Sequence, residues 1–302
     1  MFTNASNFVD GVDLSFAIIL GISVFFLVAV TAVMIWFVIR YNRKRHPKAE
    51  NIHENHKLEI IWTVIPTLLV LVMFYYGWMG YKPMQTFPKE SIEIKAIAQM
   101  WSWNFEYPNG KISDTLVVPI DKAVTLDLIS RDVLHSLYIP AFRIKEDVVP
   151  GGDNKMWFIG QELGDYNILC AEYCGDRHSY MMSKVVVIPE EDYTTWVNDK
   201  SSAEHPGLQV LKKNACTSCH SLDGSKLIGP SFKGVWGKTE TVITNGTERQ
   251  ITVDEEYVKN SIYDPNADVT KGYNPGLMIT TYKDLITEDE VKDIIEYLKT
   301  LK

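Results

Sequence analysis

Apolar positions divide the chain into stretches of different period. Leu14 to Ile39 runs 26 residues without a charged side chain, and Ile60 to Met79 gives another 20. The hydrocarbon core of a bilayer takes about 20 apolar residues as a helix, so the two runs predict a transmembrane helical hairpin. Trp36, Trp62 and Trp78 fall near the ends of the runs, where indole rings favour the membrane interface. Pro66 lies one turn into the second run, where a missing N–H does least harm. From Ser91 the period becomes two. Ile92, Ile94, Ala96 and Ala98 alternate with more polar neighbours, and Trp101, Trp103, Phe105 and Tyr107 continue the alternation up to the turn signal Pro108-Asn109-Gly110. Strand-like runs at 115–118, 123–129, 155–159, 166–169 and 183–188 follow, separated by Gly, Pro and Asp. They predict a β sandwich or small barrel. Residues 199–206 are a polar linker. The last segment opens on the capping-box pattern Thr287-Glu288-Asp289-Glu290 and continues with Val291, Ile294, Ile295, Leu298 and Leu301 at helical spacing.

Charge adds an orientation. The short connection between the apolar runs holds Arg40, Arg43, Lys44, Arg45, Lys48 and Lys57, whereas the stretch before the first run holds no Lys or Arg. The positive-inside rule places that connection in the cytoplasm, with both termini and the soluble domains on the outer, periplasmic side of the inner membrane. A cleaved signal peptide fits worse, because no basic residue precedes the first run. The chain of 302 residues is 46% hydrophobic, which excludes disorder, and its formal charge of −8 argues against nucleic acid as a partner.

The four cysteines fall into two local motifs. Bridging Cys170 to Cys174 closes a very small loop and stabilises little. Read as ligands, Cys170, Cys174, His178 and Met181 lie within one short stretch, and His135 follows a strand earlier in the chain. Soft sulfur with imidazole selects copper or zinc. Zinc as His₂Cys₂ needs no methionine, and a mononuclear blue copper site uses only one cysteine. The extra thiolate makes sense where two sulfurs bridge two coppers, each with one terminal histidine. Further on, Cys216-Thr217-Ser218-Cys219-His220 is the attachment signature of a c-type haem; a zinc knuckle or a disulfide is the alternative. Met278 is the only methionine after Met182 and is the candidate sixth ligand; His205, in the linker, is its rival.

Cys-x-Glu-x-Cys-Gly-x-x-His-x-x-Met, preceded by Asp132-Val133-Leu134-His135-Ser136, resembles cytochrome c oxidase subunit II. The likeness extends to Trp101-Ser102-Trp103-Asn104-Phe105-Glu106-Tyr107 and to Glu59-Ile60-Ile61-Trp62-Thr63. It implies a cupredoxin-like β-barrel with a binuclear copper centre. Cys170 and Cys174 would bridge the coppers, with His135 and His178 terminal. Met181 and the backbone carbonyl of Glu172 would be axial, and the Glu172 side chain would reach a magnesium at the subunit I interface. Trp101 takes the position that receives electrons from cytochrome c, and Glu59 that of a proton-pathway entrance. Gly229-Pro230, Gly234, Gly237 and Gly272-Tyr273 ahead of Met278 resemble class I cytochrome c.

The expected chain is thus a multidomain membrane protein: a transmembrane hairpin (1–80), a cupredoxin-like copper domain (81–198), a linker (199–206) and an all-α cytochrome c domain (207–302). The expected function is delivery of electrons to subunit I of a respiratory haem-copper oxidase. This chain would hold no oxygen-reducing centre itself. Its partners would be subunit I, the other oxidase subunits, the membrane, and a cytochrome c-type or quinol-oxidising electron donor. A related terminal reductase such as nitric oxide reductase, and a zinc-stabilised membrane-anchored haem module, are the alternatives.

Overall fold

The computed structural model describes residues 4–48, 54–199 and 205–302, so residues 200–204 of the expected linker lie outside the described residues. The chain forms two compact units: residues 1–89 with Ala141–Arg143, and Glu90–Pro140 with Ile144–Lys302.

The first unit is a helical hairpin. Helices α1 (Val9–Arg40) and α2 (His56–Tyr81) are apolar on every side, and both are long and apolar enough to cross a membrane. Their large side chains are exposed over nearly the whole length, a surface suited to lipid. The helices meet at small residues, where a Cβ on Gly80 would lie 3.2 Å from the Gly11 carbonyl oxygen. The Ser15 hydroxyl lies 2.8 Å from the Gly11 carbonyl and 3.0 Å from that of Tyr76. Asn55 caps α2 by accepting from the Leu58 N–H.

The second unit begins with a sandwich of two five-stranded sheets. One runs β3 (Ile112–Ser113), β2 (Ser102–Glu106), β1 (Ile92–Gln99), β5 (Ala123–Ser130), β8 (Asn154–Ile159). The other runs β4 (Leu116–Pro119), β10 (Met182–Ile188), β9 (Gly164–Cys170), β6 (His135–Ile139), β7 (Ile144–Val148). The core takes Ile94, Phe105, Leu126 and Leu128 from the first sheet and Leu137, Ile139, Ile168 and Val185 from the second. The alternation in the sequence predicts most of these strands. Strands β6 and β7 carry weaker signals, because β6 is buried on both sides and has no polar face to alternate. Trp101 precedes β2 and lies in the turn after β1 instead of continuing the strand.

After α3 (Glu190–Asn198), the chain enters its helical portion: α4 (Pro206–Lys213), α5 (Cys216–Cys219), α6 (Glu255–Tyr263), α7 (Tyr282–Leu285) and α8 (Glu288–Thr300). The expected capping box closes on α8, whose Val291, Ile294, Ile295 and Leu298 are buried. The expected helical domain also carries a three-stranded sheet, β12 (Thr247–Thr252), β11 (Thr239–Thr244), β13 (Val269–Thr270). Its signal is legible: Asn245-Gly246 between β-branched residues is a two-residue hairpin turn, and both residues have positive φ.

Helix α4 packs on α8 through Gly207, where a Cβ would fall 2.0 Å from the Asp293 carbonyl oxygen. That oxygen belongs to helix backbone and cannot yield. Gly207→Ala is therefore expected to destabilise the helical portion by about 1–3 kcal/mol or more, measured as a lower denaturation midpoint.

Candidate metal centre and haem cleft

Two separate loops at one end of the sandwich supply soft donors. His135 opens β6, and Cys170 ends β9; register pairs the neighbouring Leu137 with Cys170. The loop from Cys170 to β10 then brings in Cys174, His178 and Met181. The Cys170 and Cys174 sulfurs lie 3.8 Å apart as free thiols. Cys170 Sγ is 3.9 Å from His135 Nδ1, and Cys174 Sγ is 3.5 Å from His178 Nδ1. The Met181 sulfur, fully buried, is 3.8 Å from Cys174 Sγ, and the Glu172 carbonyl oxygen is 3.3 Å from Cys170 Sγ. All six expected residues thus converge. Each thiol has its own imidazole, and the two imidazoles come from different segments.

A residue that the sequence motif contained but did not single out orients the site. Asp132, whose side chain is 4% exposed, meets His135 Nε2 at 2.8 Å through Oδ1 and accepts from the Met100 N–H at 2.7 Å through Oδ2. With Nε2–H donated to the carboxylate, Nδ1 is the nitrogen that faces the sulfurs, donating to Cys170 when protonated and open to a metal once that proton leaves. The signal was an aspartate three residues before the histidine. Burial opposes charge on His135, but Asp132 and Cys170 outweigh it, and its pKa rises. Burial also opposes ionisation of Cys170, yet hydrogen bonds from His135 and the Ser136 backbone hold its pKa down at about 6. Cys174 is pushed up to about 12 by burial and then by the neighbouring Cys170. The pair therefore carries one negative charge near neutral pH.

The helical portion holds a cleft walled by Cys216, Cys219, His220, Ile228, Met278 and Tyr257. Cys216 and Cys219 are free thiols. His220 Nδ1 lies 2.7 Å from the Pro230 carbonyl, which fixes Nε2 as the outward nitrogen, and the ring stacks on Phe232 at 4.6 Å. Burial pushes the His220 pKa down, which favours the neutral ligand form. Gly229 is needed here because a Cβ would lie 2.5 Å from the imidazole. An apolar cleft with two thiols, a fixed imidazole and a thioether on its wall suits a haem. His205 instead caps α4, its Nδ1 accepting from the Gly207 N–H. The sandwich contributes Gln99, Met100 and Asp132 to the cleft wall.

Of the other expected residues, Trp101 lies against the metal-binding loop and Glu59 lies on the helical hairpin. Trp101 is 7% exposed and donates its indole N–H to the Cys174 carbonyl at 3.0 Å. Glu59 sits in the first turn of α2, 3.2 Å from His56, with its side chain 44% exposed.

A membrane-anchored carrier of copper and haem is the class that this fold and these donors define. The family profile "Cytochrome C oxidase subunit II, transmembrane domain" matches residues 1–77, the periplasmic-domain profile of the same subunit matches 110–188, and "Cytochrome c" matches 205–302. The chain is 30% identical to cytochrome c oxidase subunit 2 of Alkalihalophilus pseudofirmus over 94% of its length and 86% of that protein's. It is 28% identical to the subunit of Bacillus sp. strain PS3 over 84% and 76%. The solved periplasmic domain of subunit II of cytochrome oxidase of Bradyrhizobium japonicum is 30% identical, with 37% of this chain and 94% of that one covered and a TM-score of 0.36. The chain belongs to the cytochrome c oxidase subunit II family. It is a subunit of a haem-copper oxidase, an oxidoreductase, and the family with its cytochrome c portion implies copper and haem.

Proton competition tests the thiol pair. A metal that takes both sulfurs as thiolates and His135 as a neutral imidazole displaces the Cys174 proton at neutral pH, the His135 proton where the raised pKa keeps the ring charged, and the Cys170 proton as well below pH about 6. Copper affinity of the apo-protein should therefore fall with decreasing pH, and fall more steeply below that point, by about one further power of ten per pH unit. Competition with a copper chelator across pH 5–8 reads the slope, and a constant slope would place the low-pKa thiol elsewhere.

Proposed function

We propose that this subunit takes electrons from a donor on the outer face and passes them through haem c and a binuclear copper centre to subunit I for oxygen reduction. The observation that carries the reading is the convergence of two thiols, two imidazoles and a buried thioether from separate loops, in the same compact unit as the haem cleft. Copper and haem, when bound, supply one-electron redox chemistry; the residues supply position and insulation. Cys170 and Cys174, together with His135 and His178, would hold the copper pair. Met181 and the Glu172 carbonyl would be weaker donors that tune its potential. Asp132 holds the His135 ring, which limits rearrangement on a change of charge. Zinc has no use for the fully buried Met181 sulfur 3.8 Å from Cys174, which favours copper.

In the cleft, Cys216 and Cys219 would attach the haem covalently, and His220 and Met278 would hold its iron. The Pro230 carbonyl holds the His220 ring in register. Trp101, hydrogen-bonded to the Cys174 carbonyl, carries electrons towards the coppers. The Glu172 carboxylate would help hold a magnesium at the subunit I interface. Glu59 stands at the cytoplasmic end of α2 and collects protons for subunit I. The chain sits in the inner membrane, with the basic connection in the cytoplasm and both termini and the soluble domains on the outer, periplasmic side. The donor is cytochrome c-like or a quinol-oxidising complex.

Metal analysis and electron paramagnetic resonance test the centre. Wild type is expected to hold two coppers per chain and, when oxidised, to show hyperfine splitting narrower than one copper gives. Cys174→Ser should reduce this to a localised site or none while haem remains reducible. A single zinc with no copper signal after copper loading would refute the centre. Met278→His should lower the haem potential with covalent attachment intact, and an unchanged redox titration would move the sixth ligand elsewhere.

A further inference from the structure

The haem-attachment turn is gripped by side chains from the copper portion of the same unit. Arg177, between Cys174 and His178, donates through Nη1 to the carbonyl of Ser218 inside the Cys216–Cys219 helix. The Ser218 hydroxyl lies 3.4 Å from the Met100 carbonyl, and the Met100 N–H is the one held by Asp132. Arg131 donates to the Lys213 carbonyl at 3.0 Å and to Asn214 Oδ1 at 3.2 Å, just ahead of the turn. Tyr282 donates to the Asn214 carbonyl at 3.1 Å and accepts from Gln99 Nε2 at 2.7 Å. Gln99, Asn214 and Tyr282 are buried.

This is not how a loosely tethered module is built. Separating the two portions would take the Tyr282 acceptor from the buried Gln99 amide and the Arg131 donor from Asn214 Oδ1, and two guanidinium groups would lose carbonyl acceptors. Trp101 shares a shallow hollow with Thr217 and Ser218 and is almost wholly covered. A covered indole gives a separate donor protein little to dock on.

We propose that Arg177 is a positioning residue that locks the haem-attachment turn onto the copper loop. The two cofactor sites then keep one fixed separation in the working oxidase, with Trp101 enclosed beside the junction and external donors confined to the haem portion. The proposal rests on the copper-and-haem reading above. Its logic is spatial: electron exchange between carriers falls steeply with small displacements, so a fixed junction gives one rate where a mobile tether gives a distribution.

The test uses the purified holo-oxidase with Arg177→Ala, Arg177→Lys and Arg131→Gln, each checked for copper and haem content and for both midpoint potentials. Ferric haem speeds spin relaxation of the oxidised copper centre in a manner that depends steeply on their separation. Arg177→Ala should weaken this enhancement and spread it over a range. Internal transfer after photoreduction of the haem should slow about tenfold or more at unchanged potentials. Arg177→Lys, which keeps a charged donor, should retain most of both readouts. Arg177 neighbours His178, so if the alanine variant loses copper, Arg131→Gln decides: it lies outside the copper loop and should move relaxation and rate in the same direction. Wild-type relaxation and rate in the loaded variants overturn the positioning role and leave the copper reading standing. A wild-type protein with neither cofactor overturns both.

Discussion

A buried carboxylate governs the geometry at the metal-binding end of the sandwich. Asp132 is nearly sealed from solvent, so its charge must be met by donors, and it has them in the Met100 and Val133 N–H groups and the His135 ring. Those contacts tie the turn after β1 to the start of β6. The result is a directed imidazole nitrogen on one side and a fixed backbone on the other. The indole of Trp101 begins one residue after Met100 and reaches the Cys174 carbonyl, so the same carboxylate indirectly orders the approach to both thiols.

Around that point the sulfur chemistry is asymmetric. Cys170 sits among hydrogen-bond donors and ionises readily, whereas Cys174 is buried beside it and resists a second charge. Two like charges under 4 Å apart in a poorly solvated site need a cation between them. The protein thereby favours a metal without having to rearrange: the donors are already gathered, and only protons must leave. In the haem cleft the same economy appears in other residues. Gly229 makes room for an imidazole that the Pro230 carbonyl has already oriented.

The helical hairpin and the soluble unit answer to different solvents. Helices α1 and α2 are apolar over most of their length, and Ser15 carries a polar contact between them by donating to the Tyr76 carbonyl. The sandwich and the helical portion bury apolar faces inward and show charged residues to water, the pattern of α8 being typical.

Much of this was legible in the sequence because the signals are local. Uncharged runs, period-two alternation, the Thr287 capping box and the Cys-x-x-Cys-His pentapeptide each lie within a few turns of chain, and their physics needs no distant partner. Five of the six candidate metal donors also share the stretch 170–181. What the sequence left open was non-local. Strand β6 has no alternation because both its faces are buried, and the Asn245-Gly246 hairpin, although locally signalled, sits where a helical domain was expected. Only the tertiary structure brought His135 to within 3.9 Å of Cys170, 35 residues away, and gave Asp132 its role. It alone placed Arg177 against Ser218 and Tyr282 against Gln99. The reason is physical: spacing along a chain determines which residues share a helix face or a turn, but partners across a core are chosen by packing and by the need to satisfy every buried polar group.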